Sequence, residues 1–336
     1  MTGSSSLVLI HLSDTHFGDV PATPFWDPIK GYRAHDLVLT QALPNALENV
    51  ALDLECDPDQ PLGFVLSGDL TVSGTDRQFA VAGQYLAGQG VLDDVPWGIG
   101  AYLREQERVP GNHDHWDGVM PQFPRILPLQ RAFNPAIFPR HFRSHPWGPV
   151  GLECAEFRLE MFGVDSLSGF RSGETNLRAR GRISPCHFHR LTARIRRARK
   201  PRRRSSVRVL VLHHPVRTGR FLMELDEDSH RLAVSFCKRE GISVVLVGHE
   251  HTFDARPPQV VNGLFHPFWE LRAPSAFQGM AADSKHGFLT HHIQREAAPG
   301  GRLLWTCYPY LWRGDTQRFS CEEGDIVRFG LPEAAI

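Results

Sequence analysis

Short runs of apolar and β-branched residues recur along the chain, and each run ends in a cluster of polar residues. Four of these runs lie at 7–11, 63–67, 207–213 and 242–248. Continuous apolar runs of this length are typical of strands that are buried on both faces of an α/β sheet. Amphipathic stretches between the runs predict helices over 35–52, 75–88 and 229–241.

Local signals define where several of these elements begin and end. Thr75 followed by Gln78 predicts a capping box at the start of the second helix. Pro44 predicts a bend in the first helix, and Gly241 predicts the end of the third. The segments 155–166 and 304–320 have strand character, and the second predicts a hairpin that turns at 314–315.

The alternation of strand, polar cluster and helix predicts the α/β fold class. In open α/β sheets the polar clusters gather at one edge, where ligands bind. Residues 116–150 are rich in Pro and aromatic residues and have little periodicity, so we expect a lid or binding loop there. The predicted organisation is a core over 1–260 with this lid-like insertion, followed by C-terminal strands over 261–336 that complete or extend the core.

Composition restricts the possible partners. Lys plus Arg and Asp plus Glu each number 37, so no overall charge attracts the chain to nucleic acid or to a membrane. The arginine-rich run 190–204 is a local exception, for which a solvated helix face with a loop is preferred over contact with nucleic acid. Six cysteines without a CxxC pair, and a start without a signal or spanning segment, predict a cytoplasmic protein with no membrane contact.

The polar clusters at the predicted strand ends carry side chains that ligate metals. In chain order they are Asp14, His16, Asp69, Asn112, His113, His213, His249 and His251. Alternate residues of an extended chain point the same way, so each of the pairs 14/16 and 249/251 is expected to present two donors to one side. Carboxylate, imidazole and amide donors without thiolate suit Mn, Fe or Zn.

Five sequence blocks resemble, in order, the signature of the calcineurin-like metallophosphoesterase family. The blocks SDTHFG, SGDL, GNHD, LHHP and GHEH match its patterns D-x-H, G-D, G-N-H-D/E, H-x-P and G-H-x-H. Each block is weak alone, but the ordered set from 14 to 251 is specific. The resemblance implies a four-layer sandwich of two mixed β-sheets flanked by helices, with two metal ions at the strand ends.

The resemblance also implies a role for each matched residue. The first ion would be held by Asp14, His16, Asp69 and His251. The second would share Asp69 as a bridge and add Asn112, His213 and His249. In the HHP block His213 is the matched ligand, and His214 is the alternative.

The GNHDH segment supplies the expected catalytic residues. The resemblance implies that His113 faces the substrate phosphate and that Asp114 holds its imidazole, whereas His115 is expected to be an exposed loop residue. Two divalent ions, two carboxylates and a bridging hydroxide sum to about +1, which suits an anionic ester.

Within the family, the opening HLSDTHFG, the segment GVDS and the block LHHP most resemble bacterial class III cyclic nucleotide phosphodiesterases. The sequence therefore predicts a metal-dependent hydrolase of a phosphodiester, such as a cyclic nucleotide or another small diester, that uses a metal-bridging hydroxide. Three alternatives stay open. They are a nuclease of the SbcD type that holds a strand through the arginine run, a phosphomonoesterase, and a metal-free scaffold of the same fold.

Overall fold

The computed structural model describes residues 6–18, 34–54, 62–92, 94–100, 105–116, 150–170, 180–198, 205–216, 223–278, 285–296 and 301–331. The lid predicted over 116–150 lies outside the described residues except at its two ends. The helices of the described part are α1 (Leu37–Asp53), α2 (Asp76–Ala87), α3 (Pro185–Ala198) and α4 (Glu227–Glu240). None of the described helices is long and apolar enough to cross a membrane.

Seventeen strands are found in the described residues. In chain order they are β1 (Ser6–Leu12), β2 (Leu62–Leu66), β3 (Gly90–Leu92), β4 (Val95–Trp97), β5 (Glu105–Arg108), β6 (Val150–Glu153), β7 (Phe157–Gly163), β8 (Ser205–Val211), β9 (Ile242–Val247), β10 (Asp254–Arg256), β11 (Gln259–Val261), β12 (Leu264–His266), β13 (Trp269–Arg272), β14 (Gly287–Arg295), β15 (Leu303–Arg313), β16 (Arg318–Ser320) and β17 (Val327–Leu331).

Most of the strands form two mixed sheets. The first has the order β16–β15–β14–β1–β2–β5, and β17 also pairs with β15. In this sheet β1, β2 and β5 are parallel, whereas β14 is antiparallel to β1 and to β15. The second sheet has the order β10–β13–β9–β8–β7–β6, with four parallel strands between antiparallel edge strands. The pairs β3–β4 and β11–β12 form separate hairpins.

Alternating side chains of the second sheet divide the hydrophobic core into two clusters. Val209 and Val244 belong to the cluster that contains the first sheet, α1 and α2. Leu210 and Val245, which point to the opposite face, belong to the cluster with α3 and α4. The sheets therefore pack face to face with helices outside, and the predicted four-layer α/β sandwich is confirmed.

The helix ends follow the local sequence signals. The capping box between Thr75 and Gln78 is present, and Gly241 ends α4 in the left-handed conformation with φ 67°. Pro44 lies inside α1 and has no N–H to donate to the carbonyl of Thr40. That carbonyl instead accepts a hydrogen bond of 2.9 Å from the Tyr85 hydroxyl, so a side chain of α2 compensates for the proline.

The last four strands, β14 to β17, are part of the first sheet, whereas β13 belongs to the second. β14 pairs with β1 from Ser6 to His11, and β15 pairs with β16 across a turn at 314–317. The predicted hairpin at 304–320 is therefore confirmed. Because β14 lies directly beside β1, the segment after 261 contributes to the middle of the sheet that carries the first polar cluster.

Candidate metal centre

Polar residues that follow β1, β2, β5, β8 and β9 converge at one edge of the two sheets. The Nε2 atom of His213 lies 3.2 Å from Oδ2 of Asp69, 3.1 Å from Oδ1 of Asn112 and 3.1 Å from Nδ1 of His249. Nε2 of His251 lies 3.0 Å from Oδ1 of Asp14. The fold thus joins residues that are up to 237 positions apart in the chain.

His16 lies in the same cluster, with its Nε2 atom 3.9 Å from Oδ1 of Asp14. All seven residues predicted as metal ligands are consequently brought together. Four overlapping groups have ligand atoms within 4.8 Å of one another: Asp14/His16/His251, His16/Asp69/His113, Asp14/Asp69/His213 and His213/His214/His249.

The backbone of these residues differs from the prediction. The pairs 14/16 and 249/251 were expected on extended chain, but their φ values lie between 47° and 74°, in the left-handed region. Five of the eight described non-glycine residues with positive φ are predicted ligands. Such backbone is unfavourable for residues with a side chain and persists only where the surrounding structure holds it.

Hydrogen bonds from neighbouring loops hold this backbone. The amide of Asp14 donates to the carbonyl of Gly68 at 3.0 Å, and the amide of His16 donates to the carbonyl of Asp69 at 3.0 Å. The amide of His249 donates to Oδ2 of Asp14 at 2.9 Å. The extended-chain prediction is wrong because these contacts between loops, rather than a strand, set the direction of each side chain.

Two glycines allow the loops to approach closely. A Cβ atom at Gly111 would collide with the backbone and carboxylate of Asp69. A Cβ atom at Gly248 would collide with the hydroxyl of Ser13 and approach Oδ2 of Asp14. These positions therefore require glycine for the cluster to close.

The acceptor atoms of the cluster fit a cation. Nδ1 of His213 faces the carbonyl of Ser67 at 2.8 Å and donates to it, which leaves a lone pair on Nε2 of the neutral ring. In the neutral ring that lone pair faces the oxygens of Asp69 and Asn112, so acceptors point at one another unless a proton or a cation lies between them. The described partners of the buried Asp14 and Asp69 carboxylates are hydroxyl, backbone amide and histidine groups, with no Lys or Arg. Buried charge of this kind is normally neutralised by a counter-ion or a metal.

The pKa values of His213 and Asp69 also indicate that positive charge stabilises the cluster. Burial alone would lower the pKa of His213, but the carboxylates of Asp69 and Asp14 raise it to about 9. Burial also opposes ionisation of Asp69, yet His213 and His113 hold the pKa of its carboxyl well below the usual value. A proton on His213 therefore occupies the role that a metal ion would otherwise fill.

Both histidines of the HHP block lie near the cluster. His213 contacts Asp69 and Asn112 directly, as given above. Nδ1 of His214 pairs with the Ser166 hydroxyl at 2.7 Å, and its ring centroid lies 4.4 Å from that of His249. His213 is the stronger candidate ligand because it contacts two other candidate ligands. His214 lies beside it and is the alternative.

His113 lies beside the cluster with its ring fixed from outside. Its Nδ1 atom is 2.8 Å from the carbonyl oxygen of Val72, and its Nε2 atom is 3.7 Å from Oδ2 of Asp69. Its ring contacts the Trp116 ring in a tilted arrangement, with centroids 3.7 Å apart and an interplanar angle of 34°. The histidine is thereby oriented with one nitrogen toward the candidate ligands.

Asp114 has a different contact set from the one expected. Its carboxylate accepts hydrogen bonds from the amides of Leu70, Thr71 and Gly111 and from the Thr71 hydroxyl, at 2.9–3.2 Å. The expectation that Asp114 holds the imidazole of His113 is wrong, because the short helix at 113–115 turns the carboxylate toward the loop after β2. Burial, followed by the nearby charge of Asp69, raises the pKa of Asp114 to about 6.

His115 is buried, so the expectation of an exposed loop residue is also wrong. Its Nε2 atom lies 3.4 Å from Oδ1 of Asp165, which follows β7. The sequence marked Asp165 only as part of GVDS and gave no sign of this pairing, since the two residues are 50 positions apart.

Two mixed sheets packed face to face, with buried carboxylate, imidazole and amide donors at the ends of parallel strands, define the protein as a metallophosphoesterase-type α/β protein. The family model of the calcineurin-like phosphoesterases matches residues 7–253, and the chain belongs to this family. The family consists of phosphoesterases that typically bind two divalent metal ions. Membership of this family indicates a phosphoesterase hydrolase.

Solved structures with the same fold have very different sequences. One is a dimetal phosphatase from Danio rerio, with 12% identity and a TM-score of 0.54, covering 90% of this chain and 95% of that chain. Another is GAP50, the anchor in the inner membrane complex of Plasmodium, with 10% identity and a TM-score of 0.55, covering 99% of this chain and 90% of that chain. No curated protein matches the sequence. At these identities the similarity concerns the fold alone.

Proposed function

We propose that the protein is a binuclear metal-dependent phosphodiesterase that acts on a cyclic nucleotide or another small diester. Asp14, His16, Asp69 and His251 would hold one ion, and Asp69, Asn112, His213 and His249 the other. The observation that supports this proposal most directly is the position of Asp69, whose carboxylate has ligand atoms within 4.8 Å of a ring nitrogen of His16 and of a ring nitrogen of His213. Bound ions would supply an activated water as nucleophile and positive charge for the phosphoryl group.

His113 is the proposed proton donor or hydrogen-bond partner of the substrate. Because Nδ1 faces the Val72 carbonyl, the neutral ring carries its proton there and presents a lone pair at Nε2. Burial lowers the pKa of His113, so the ring donates from Nε2 only after it gains a second proton. A bound anionic ester favours that proton, which couples the role of His113 to substrate binding.

The charge of the site favours a diester over a monoester. With two divalent ions, the carboxylates of Asp14 and Asp69 and one hydroxide, the net charge is about +1, which balances a singly charged diester. A monoester at neutral pH carries nearly two negative charges. The resemblance of the LHHP and GVDS blocks to class III cyclic nucleotide phosphodiesterases supports the same assignment.

The position of the arginine run argues against a nuclease that uses it as a grip. α3 begins three residues after Arg182, whose amide donates to the carbonyl of Ser166 at 2.7 Å, and the Ser166 hydroxyl pairs with His214 beside the candidate site. Its 14 residues extend about 21 Å at 1.5 Å per residue, so Arg196 and Arg197 lie far from this end. The described part of the run therefore favours a small substrate over a long strand.

Metal analysis and two model substrates test the proposal. We expect two Mn, Fe or Zn ions per chain and faster hydrolysis of bis(p-nitrophenyl) phosphate than of p-nitrophenyl phosphate, followed by turnover of a cyclic nucleotide. Faster hydrolysis of the monoester would show that the protein is a phosphomonoesterase and not a diesterase. If the protein binds no metal and hydrolyses neither compound, the metal-free scaffold is the better assignment. Salt-sensitive binding to DNA would instead support the nuclease.

A further inference from the structure

A buried arginine lies directly behind the candidate metal centre. Arg272 is 1% exposed and is among the largest fully buried side chains of the described residues. Its Nη1 atom donates to Glu250 at 2.5 Å, and its Nη2 and Nε atoms donate to Oε1 of Glu270 at 2.6 and 2.9 Å. Nη1 also lies 3.3 Å from Asp254. We call the three linked side chains Glu250, Arg272 and Glu270 the carboxylate bridge.

The carboxylate bridge joins two of the loops that carry candidate ligands. Glu250 is the middle residue of the GHEH block, between His249 and His251. The second oxygen of Glu270 accepts a hydrogen bond from the amide of Val216 at 2.9 Å, three residues after His213. One guanidinium thus ties the loop after β9 to the loop after β8.

The other candidate ligands have separate supports. The hydroxyl of Ser275 donates to the carbonyl of Asp14 at 2.8 Å, and Asp114 holds the loop that carries Asp69. His251 is held by its own contact of 3.0 Å with Asp14. The Val216 end of the carboxylate bridge lies on the loop of His213, so the bridge acts on the ligands proposed for the second ion more than on those proposed for the first.

We infer that the carboxylate bridge is a positioning group for the second metal ion. It sets the separation between Nε2 of His213 and Nδ1 of His249, which is 3.1 Å. Together with the contact of the His249 amide with Asp14, it restrains His249 in its left-handed conformation with φ 74°. This inference rests on the metal assignment of the proposed function.

Stability alone does not explain charges at these positions. A buried ion pair contributes little relative to well-packed apolar side chains of the same size, so the bridge has no general advantage as a core element. Residues that orient metal ligands from behind commonly change metal affinity by about 10- to 100-fold when removed. The geometry fits a role in orienting metal ligands, because each end of the bridge contacts a loop that carries candidate ligands.

The variant E250A tests the inference, since Arg272 keeps Glu270 and Asp254 as partners and no buried charge is left alone. The matched control is E160A, which removes a buried carboxylate paired with Arg208 between β7 and β8. Metal-free protein is titrated with Mn²⁺, and electron paramagnetic resonance records free Mn²⁺ and the signal of two coupled ions.

We expect E250A to bind the first ion with the affinity of the unchanged protein and the second about 10- to 100-fold more weakly. The coupled signal then develops only at correspondingly higher Mn²⁺, whereas E160A behaves as the unchanged protein. E250Q, whose amide oxygen still accepts from Arg272, should recover most of the affinity, and it also serves if E250A fails to fold.

Several results would overturn the inference. These are equal weakening of both ions in E250A, unchanged binding in a folded E250A, or the same loss in E160A. If the unchanged protein itself binds fewer than two ions, the proposed function fails instead, and the two failures are thereby distinguished.

Discussion

Metal binding should release a proton from His213, and this coupling can be worked out from the structure. Without metal, the carboxylates of Asp69 and Asp14 overcome the effect of burial and raise the pKa of His213 to about 9. The ring is therefore cationic at neutral pH. Because Nδ1 donates to Ser67, the atom that must lose its proton to ligate a metal is Nε2.

The size of the effect follows from the pKa of about 9. At pH 7, two pH units below this pKa, removal of the proton lowers metal affinity about 100-fold, or by about 3 kcal/mol. The same proton stabilises the metal-free fold. Since the folded pKa lies above the unfolded value of 6.5, this stabilisation of about 3 kcal/mol is complete below pH 6.5 and is lost as the pH rises through about 9.

Isothermal titration calorimetry at pH 7 in buffers with different heats of ionisation measures the released protons. We expect about one proton from His213 with the ion it binds, and a contribution from His251, whose pKa is raised by Asp14 against the effect of burial. In His213→Ala the corresponding proton should disappear, and affinity should depend less on pH. If two ions bind with a heat that is the same in every buffer, the description of His213 as the protonated group is incorrect.

Three further predictions concern single side chains. Asp69→Ala should remove both ions and the activity together, because this carboxylate belongs to both ligand groups, and metal analysis beside an activity assay checks it. His113→Ala should retain both ions but slow turnover about 10²- to 10⁴-fold, and normal turnover would exclude its role. Tyr85→Phe should lower the free energy of unfolding by about 1–3 kcal/mol in urea, because the Thr40 carbonyl loses its partner. In a Pro44→Ala background this loss should shrink, since the backbone at that position then has an N–H that can donate to the same carbonyl, and an equal loss in both backgrounds would contradict the explanation.

Strands, helix ends and the order of the ligand blocks could be predicted because their signals are local. Apolar runs predict buried strands, and the capping box at Thr75 uses residues only three positions apart. The resemblance of the five ordered blocks indicated the family, which a profile over 7–253 shows independently. These signals do not depend on how distant parts of the chain pack.

The details of the site could not be predicted because distant residues determine them. Asp114 is adjacent to His113 in sequence, yet its carboxylate binds amides that follow β2. His115 is buried because Asp165, at the end of another strand, lies next to it. The left-handed backbone at Asp14 likewise depends on a carbonyl 54 residues away, at Gly68.

The outward-facing and inward-facing contacts of the cluster differ in whether they depend on bound cations. Outward-facing groups, such as Nδ1 of His213 with Ser67 and the carboxylate of Asp114 with its amides, pair donors with acceptors inside the protein. Inward-facing atoms of Asp69, Asn112 and His213 are mainly acceptors, which repel one another unless a proton or a cation lies between them. The outer contacts can therefore form without metal, and only the inner set depends on bound cations. A site built in this way is organised before metal binds, so the binding energy of the ions is not consumed in folding the loops that hold them.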